Sequence, residues 1–203
     1  MRSPLPFLAL TLLAQLSAYN IALGHGIPKT DVVHVGTVCT RLVIAGQANK
    51  AYPYTASDGS YTVKFPGKPT ESAQTVQTQV GPIKVQMVIY EGDQGKRAYA
   101  TSSTQYKIDP RNYSVEKGLN GARDGIAKNM NATISKETKI NYKGAPGRQL
   151  FLTLKQGTGK VRIFIVNAGK GPIIYQAFVV NTTGKVDNAE TNAFLDSLTF
   201  KSH

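Results

Sequence analysis

Cysteine, histidine and acid are all scarce in this chain of 203 residues, and each scarcity removes a class of chemistry. One cysteine, Cys39, allows no intramolecular disulfide, so stability has to come from packing. It also sits too far behind the first apolar block, and behind Val38, to be a lipoprotein acceptor. The histidines are His25, His34 and His203, none of them between residues 58 and 201, where the strands and helices of the folded body are read. A Ser-His-Asp or Cys-His arrangement therefore lacks its usual base there. Cys39 and His34 form one nominal pair, which reads as a small apolar strand residue beside a solvent-facing imidazole.

Metal and phosphate motifs are missing as well. The sequence has no His-Glu-x-x-His, no paired cysteines and no His-rich tract, so neither a metal site nor a cofactor is expected. Glu91-Gly92-Asp93 lacks the acidic ladder of a calcium loop and reads as a hairpin turn. In Gly157-Thr158-Gly159-Lys160, Leu154 and Val161 stand where a phosphate-binding loop needs a glycine and a Ser or Thr. Asp and Glu total 12, none in a context that indicates glycoside cleavage, and no catalytic residue is nominated.

Long apolar runs are also absent. The block from Leu5 to Ala14 is shorter than the ~20 residues of a transmembrane helix. Arg2 precedes it and Ala22-Leu23-Gly24 follows, the order of a signal peptide spanning residues 1–24, with Ala18 as a second cleavage position. The expected location is the periplasm or the extracellular space, or the thylakoid lumen in a photosynthetic organism. There is no internal repeat.

What the chain does have is positive charge. Its 24 Lys and Arg against 12 Asp and Glu give +12, a balance that draws an exported protein to anionic surfaces or to an acidic envelope partner. The basic residues are spread singly, as in Lys136, Lys139, Lys143, Arg148, Lys155, Lys160 and Lys170, and no run interleaves them with aromatics. Nucleic acid is therefore disfavoured. Charged residues at 18% and apolar residues at 41% describe a chain that folds.

Residues 25–57 read as an N-terminal arm or linker, with Tyr52-Pro53-Tyr54 in it, and 58–203 as the folded domain. Alternation marks strands at Tyr61–Phe65, around Val76, Thr78 and Val80, at Ile83, Val85, Met87 and Ile89, and in a polar, threonine-rich stretch from Arg97 to Tyr106. Further strands are expected at Lys139–Tyr142, before a turn at Gly144-Ala145-Pro146-Gly147, and at Leu150–Leu154 and Val161–Ile165. Ile173–Val180, apolar on both faces, is expected at the sheet centre.

Between Val115 and Asn131 the period changes: Val115, Leu119, Ala122, Ile126 and Met130 make one helical stripe, with Ser114 able to cap it. A short helix carrying Phe194 and Leu195 follows Asp187-Asn188-Ala189-Glu190, which is shaped like a capping box. The expected fold is α+β: an antiparallel sheet of about six to eight strands with two helices packed on it.

Gly118, Gly121 and Gly125 lie beside the long helix's stripe, and each costs about 1 kcal/mol of helix stability relative to alanine. Three such costs suggest that another backbone approaches closely, most simply the sheet beneath. Arg123 is expected at the edge of the core, with Asp124 pointing away. A ligand-holding Arg123 beside these three glycines is the sharper reading, a snorkelling or ion-paired arginine the plainer one.

Phe65-Pro66-Gly67-Lys68-Pro69, Gly121-Ala122-Arg123-Asp124-Gly125, Pro146-Gly147-Arg148 and Phe194-Leu195-Asp196-Ser197-Leu198 resemble a group of exported bacterial proteins of unassigned role. In layout these are similar to the PsbP-like superfamily, and the resemblance covers about residues 58–201. It implies an antiparallel sheet flanked by helices and a non-catalytic accessory or adaptor role. No motif of the photosystem branch is matched. The expected function is a non-enzymatic, exported binding or scaffolding domain with a basic surface. The alternatives are a hydrolase with an unidentified carboxylate site, or a module adhering to anionic surfaces.

Overall fold

The computed structural model describes residues 51–78 and 81–201. The expected signal peptide, Cys39, all three histidines and Val80 lie outside them.

Strand β1 (Tyr52–Thr55) pairs antiparallel with β2 (Tyr61–Phe65). Along β2 the period-2 pattern buries Tyr61, Val63 and Phe65 and exposes Thr62 and Lys64. Tyr52-Pro53-Tyr54, expected as arm or linker, is thus strand. The Tyr54 ring packs on Tyr61 and Phe65 at centroid distances of 6.1 and 6.0 Å, and Pro53 is tolerated because β1 is an edge.

Seven strands form the main sheet: β3 (Thr70–Thr78), β4 (Gly81–Gly92), β5 (Arg97–Gln105), β6 (Thr133–Tyr142), β7 (Ala145–Thr153), β8 (Thr158–Ala168) and β9 (Gly171–Asn181). Their order is β3-β4-β5-β9-β8-β7-β6, with every neighbouring pair antiparallel. Helix α1 (Val115–Asn129) follows β5; helix α2 (Ala189–Asp196) and strand β10 (Thr199–Phe200) follow β9. β10 adds to β2, completing a second, three-stranded sheet β1-β2-β10. The molecule is α+β, as the alternation and the single long helical stripe indicate.

Three layers result. On one face of the large sheet, Leu119, Ala122 and Ile126 of α1 pack on Leu150, Leu152, Val161, Ile163 and Ile165. On the other, Phe194, Leu195 and the small sheet pack on Tyr99, Phe164, Tyr175, Ala177 and Val179. Each fully buried side chain of this kind contributes roughly 1.5–3 kcal/mol. β9 feeds both cores and is the middle strand of seven, where its two apolar faces belong.

β5 is the surprise. Its polar sequence suits an exposed strand, yet it lies beside β9 with Thr101, Ser102, Ser103 and Thr104 all buried. Thr101 Oγ1 meets Tyr61 Oη at 3.0 Å and Ser102 Oγ donates to Gln176 Oε1 at 3.3 Å. Thr104 Oγ1 is buried with no partner among the described residues.

Local chemistry corrects several expected boundaries. Ser114 does cap α1, accepting from Lys117 N at 3.4 Å. α2 is capped by Asn188, which accepts from Thr191 N at 2.9 Å; the Asp187–Glu190 capping box does not form, because those carboxylates serve Lys160 and Arg97. The turn expected over 144–147 is only Lys143-Gly144, both at positive φ (48° and 87°), and Ala145 already pairs with Tyr142.

Candidate anion-binding recess

Residues 51–201 carry 20 Lys and Arg against 11 Asp and Glu, a balance of +9. The structure divides these cations sharply. All five arginines among the described residues are ion-paired: Arg97 with Asp93 and Glu190, Arg111 with Asp109, Arg123 with Asp124 and Glu137, Arg148 with Glu116 and Glu137, Arg162 with Asp196. These contacts, with Lys139 on Glu116 and Lys160 on Asp187, engage eight of the 11 carboxylates. Lysines supply the surplus. Lys64, Lys68, Lys96, Lys107, Lys170 and Lys185 are exposed and have no ion-pair partner among the described residues.

The largest ionic cluster joins α1 to the β6–β7 edge. Arg148, with a side chain only 4% exposed, reaches Glu116 through Nη2, and its Nε lies 2.9 Å from Glu137 Oε1. Arg123 Nη1 lies 3.2 Å from Glu137 Oε2 and its Nε 2.8 Å from Asp124 Oδ1, so Asp124 turns back to Arg123 instead of pointing away. The two carboxylates hold the Arg123 guanidinium's proton more tightly, Asp124 first. On the opposite face the nearly buried Lys160 ammonium donates to Asp187 Oδ1 and Asn192 Oδ1, both at 2.7 Å, and stands 4.7 Å from the Phe151 ring centre. Lys160 draws the Asp187 carboxyl below its ordinary value. Gly157-Thr158-Gly159-Lys160 is accordingly hairpin and core.

Of the residues nominated from sequence, Arg123 belongs to this ion-pair chain. Gly118, Gly121 and Gly125 lie on α1 with it, Gly125 buried and the other two half-buried. The space over Gly118 is taken: a Cβ there would run into the Tyr113 hydroxyl and meet Ile165 Cδ1 at 3.0 Å. The neighbour these glycines suggested is, at Gly118, a tyrosine from the segment before the helix rather than a backbone. Burial pushes that phenol up to about 12.

A different group of cations gathers at one end of the large sheet. β5 ends at Gln105, and Lys107-Ile108-Asp109-Pro110-Arg111 runs past the turn Gly169-Lys170 that joins β8 to β9. Between them lies an open recess of about 590 Å³, with Lys107, Arg111 and Lys170 at its rim and Ile108 and Pro110 in its lining. Its frame is stitched: Tyr106 N donates to Pro172 O at 2.9 Å and Asn167 Nδ2 to Pro110 O at 3.1 Å. Gly171, at φ 114°, lets the strand pass so close that a Cβ would strike Tyr106 O.

Asp109 is the one carboxylate here. It accepts from Arg111 N at 2.9 Å and Arg111 Nη2 at 2.8 Å, and these bonds lower its pKa, the side-chain contact most. Three cations against one anion leave the recess at +2. Lys107 and Arg111 were not singled out from sequence, and Lys170 only as one of the scattered cations, because the antiparallel pairing of β5 with β9 is what brings residues 107–111 to 169–170. Among the described residues no cluster of three or more potential metal ligands occurs, and no helix is long and apolar enough to cross a membrane.

No family model and no curated protein matches the chain. Among solved structures it is similar to a protein of Bacteroides thetaiotaomicron, known from a crystal structure at 1.50 Å resolution, with 12% identity and a TM-score of 0.37. The match covers 73% of this chain and 48% of that one, so the chain spans about half that protein's length.

Proposed function

We propose that this protein is a non-catalytic, exported binding or scaffolding domain that engages an acidic partner through its basic surface. The observation that carries the reading is the division of cations: four of the five described arginines are at least partly buried in ion pairs, while exposed lysines, joined by the exposed Arg111, present an uncompensated field. The engagement of eight carboxylates in ion pairs supports it against the hydrolase alternative, since a carboxylate held by Arg or Lys is not free to turn toward a substrate. Export rests on the leader-like order of residues 1–24, and the PsbP-like assignment on the phrases and layout in the sequence. Both belong to this proposal, as does a periplasmic or extracellular location.

The test is a titration of labelled polyglutamate with the wild-type chain at low and high salt. Binding at low salt that fades as the Debye length shrinks is expected. No binding at low salt overturns the reading. Cell fractionation checks export, with recovery in the cytoplasm as the contrary result.

A further inference from the structure

Resting on the acidic-partner reading, we infer that the recess at the β5 end takes an extended acidic peptide segment of a partner protein, one with an apolar side chain between carboxylates. A space of about 590 Å³ is several times that of a single phosphate or acetate ion and suits a short run of chain. Its chemistry is mixed in the same sense: cations at the rim, Ile108 and Pro110, both partly buried, within. An alternating acidic segment brings an apolar side chain to Ile108 and Pro110 between its carboxylates, which a phospholipid headgroup does not.

Arg111 is set for such a ligand. Asp109 occupies the Nε and Nη2 side of the guanidinium, with bonds of 3.2 and 2.8 Å, and fixes the plane of the fork. Nη1 has no partner among the described residues, and the side chain is 88% exposed. An incoming carboxylate therefore meets an oriented donor edge, with lysines on either side as flexible point charges. The stitched frame lowers the ordering cost of binding.

The experiment measures fluorescence anisotropy of a labelled peptide alternating Glu and Leu against the full chain. A Gln-Leu peptide and mixed phosphatidylglycerol–phosphatidylcholine vesicles are parallel probes. The triple variant Lys107→Gln, Arg111→Gln, Lys170→Gln is compared with a remote variant, Lys68→Gln, Lys96→Gln, Lys185→Gln. The triple variant is expected to weaken the Glu-Leu peptide at least about tenfold and the remote variant less than about twofold, with the Gln-Leu peptide bound by neither. Circular dichroism melts identify any variant that fails to fold, and single Lys170→Glu then replaces the triple.

Equal losses in both variants refute the recess while leaving the basic-surface reading intact. Binding of vesicles but not peptide refutes the peptide ligand and points to a lipid surface. Failure of every anionic probe with the wild-type chain, polyglutamate included, brings down both proposals together.

Discussion

Arg148 and Arg111 carry the same guanidinium and end in opposite situations. Arg148 lies under α1 with its side chain 4% exposed and Glu116 and Glu137 arranged around it; Arg111 stands 88% exposed with one carboxylate and two unpaired lysines nearby. A buried cation is tolerated only when its partners are built in, so the α1 cluster is saturated by necessity. An exposed one has water as its default partner, so the strand-end cluster can remain at +2 with little cost to folding. The same guanidinium group therefore has two uses, and burial tells them apart.

The contrast is sharpest at Glu137. Glu137→Ala leaves Arg148 buried with one partner fewer and is expected to cost about 3 kcal/mol in urea unfolding. Arg148→Met removes the buried charge itself and is expected to cost less than Glu137→Ala. The reverse ranking would show that Arg148 contributes through its charge and not merely by being satisfied.

Acid probes the other buried cation. The Asp187 carboxyl sits below its ordinary value of 3.8 because Lys160 donates to it, so its contribution to stability is complete above that value and is lost as pH falls through the depressed one. Wild type should lose stability on acidification in that window, and Asp187→Asn should show a shallower loss there, starting from a lower melting temperature at neutral pH.

Arg123→Met is expected to destabilise by about 1 kcal/mol and leave peptide binding unchanged, since its carboxylates lie on the saturated side. Weakened binding would return Arg123 to the candidate site. Thr104→Val removes a buried hydroxyl with no partner and keeps the shape, so it is expected to stabilise by about 1 kcal/mol in the same assay. A loss instead would show that the hydroxyl is satisfied.

Much of this architecture is written in local pattern. The stripe Leu119, Ala122, Ile126 sets α1 to within a residue or two, and the double-faced run Ile173–Val180 marks the central strand. What local pattern leaves out is pairing at a distance. Nothing in Arg97–Gln105 says that its hydroxyls are buried, because only the neighbours β4 and β9 and the Tyr61 hydroxyl make that burial tolerable. Tyr52–Thr55 reads as arm because its partner rings lie in β2 and its own apolar content is slight. The recess is invisible for the same reason: Lys107 and Lys170 are far apart along the chain and meet only through the β5–β9 ladder. Arg123 stands out in the sequence as a cation on an apolar stripe, and that prominence comes from its place in a structural network.

The most direct measurement is amide chemical-shift mapping of the full chain during titration with the alternating Glu-Leu peptide. Saturable shifts concentrated at residues 107–111 and 169–171, with the α1 amides around Arg123 unmoved, are the predicted result. Shifts scattered over the lysine-bearing surface, or centred on α1, would contradict it.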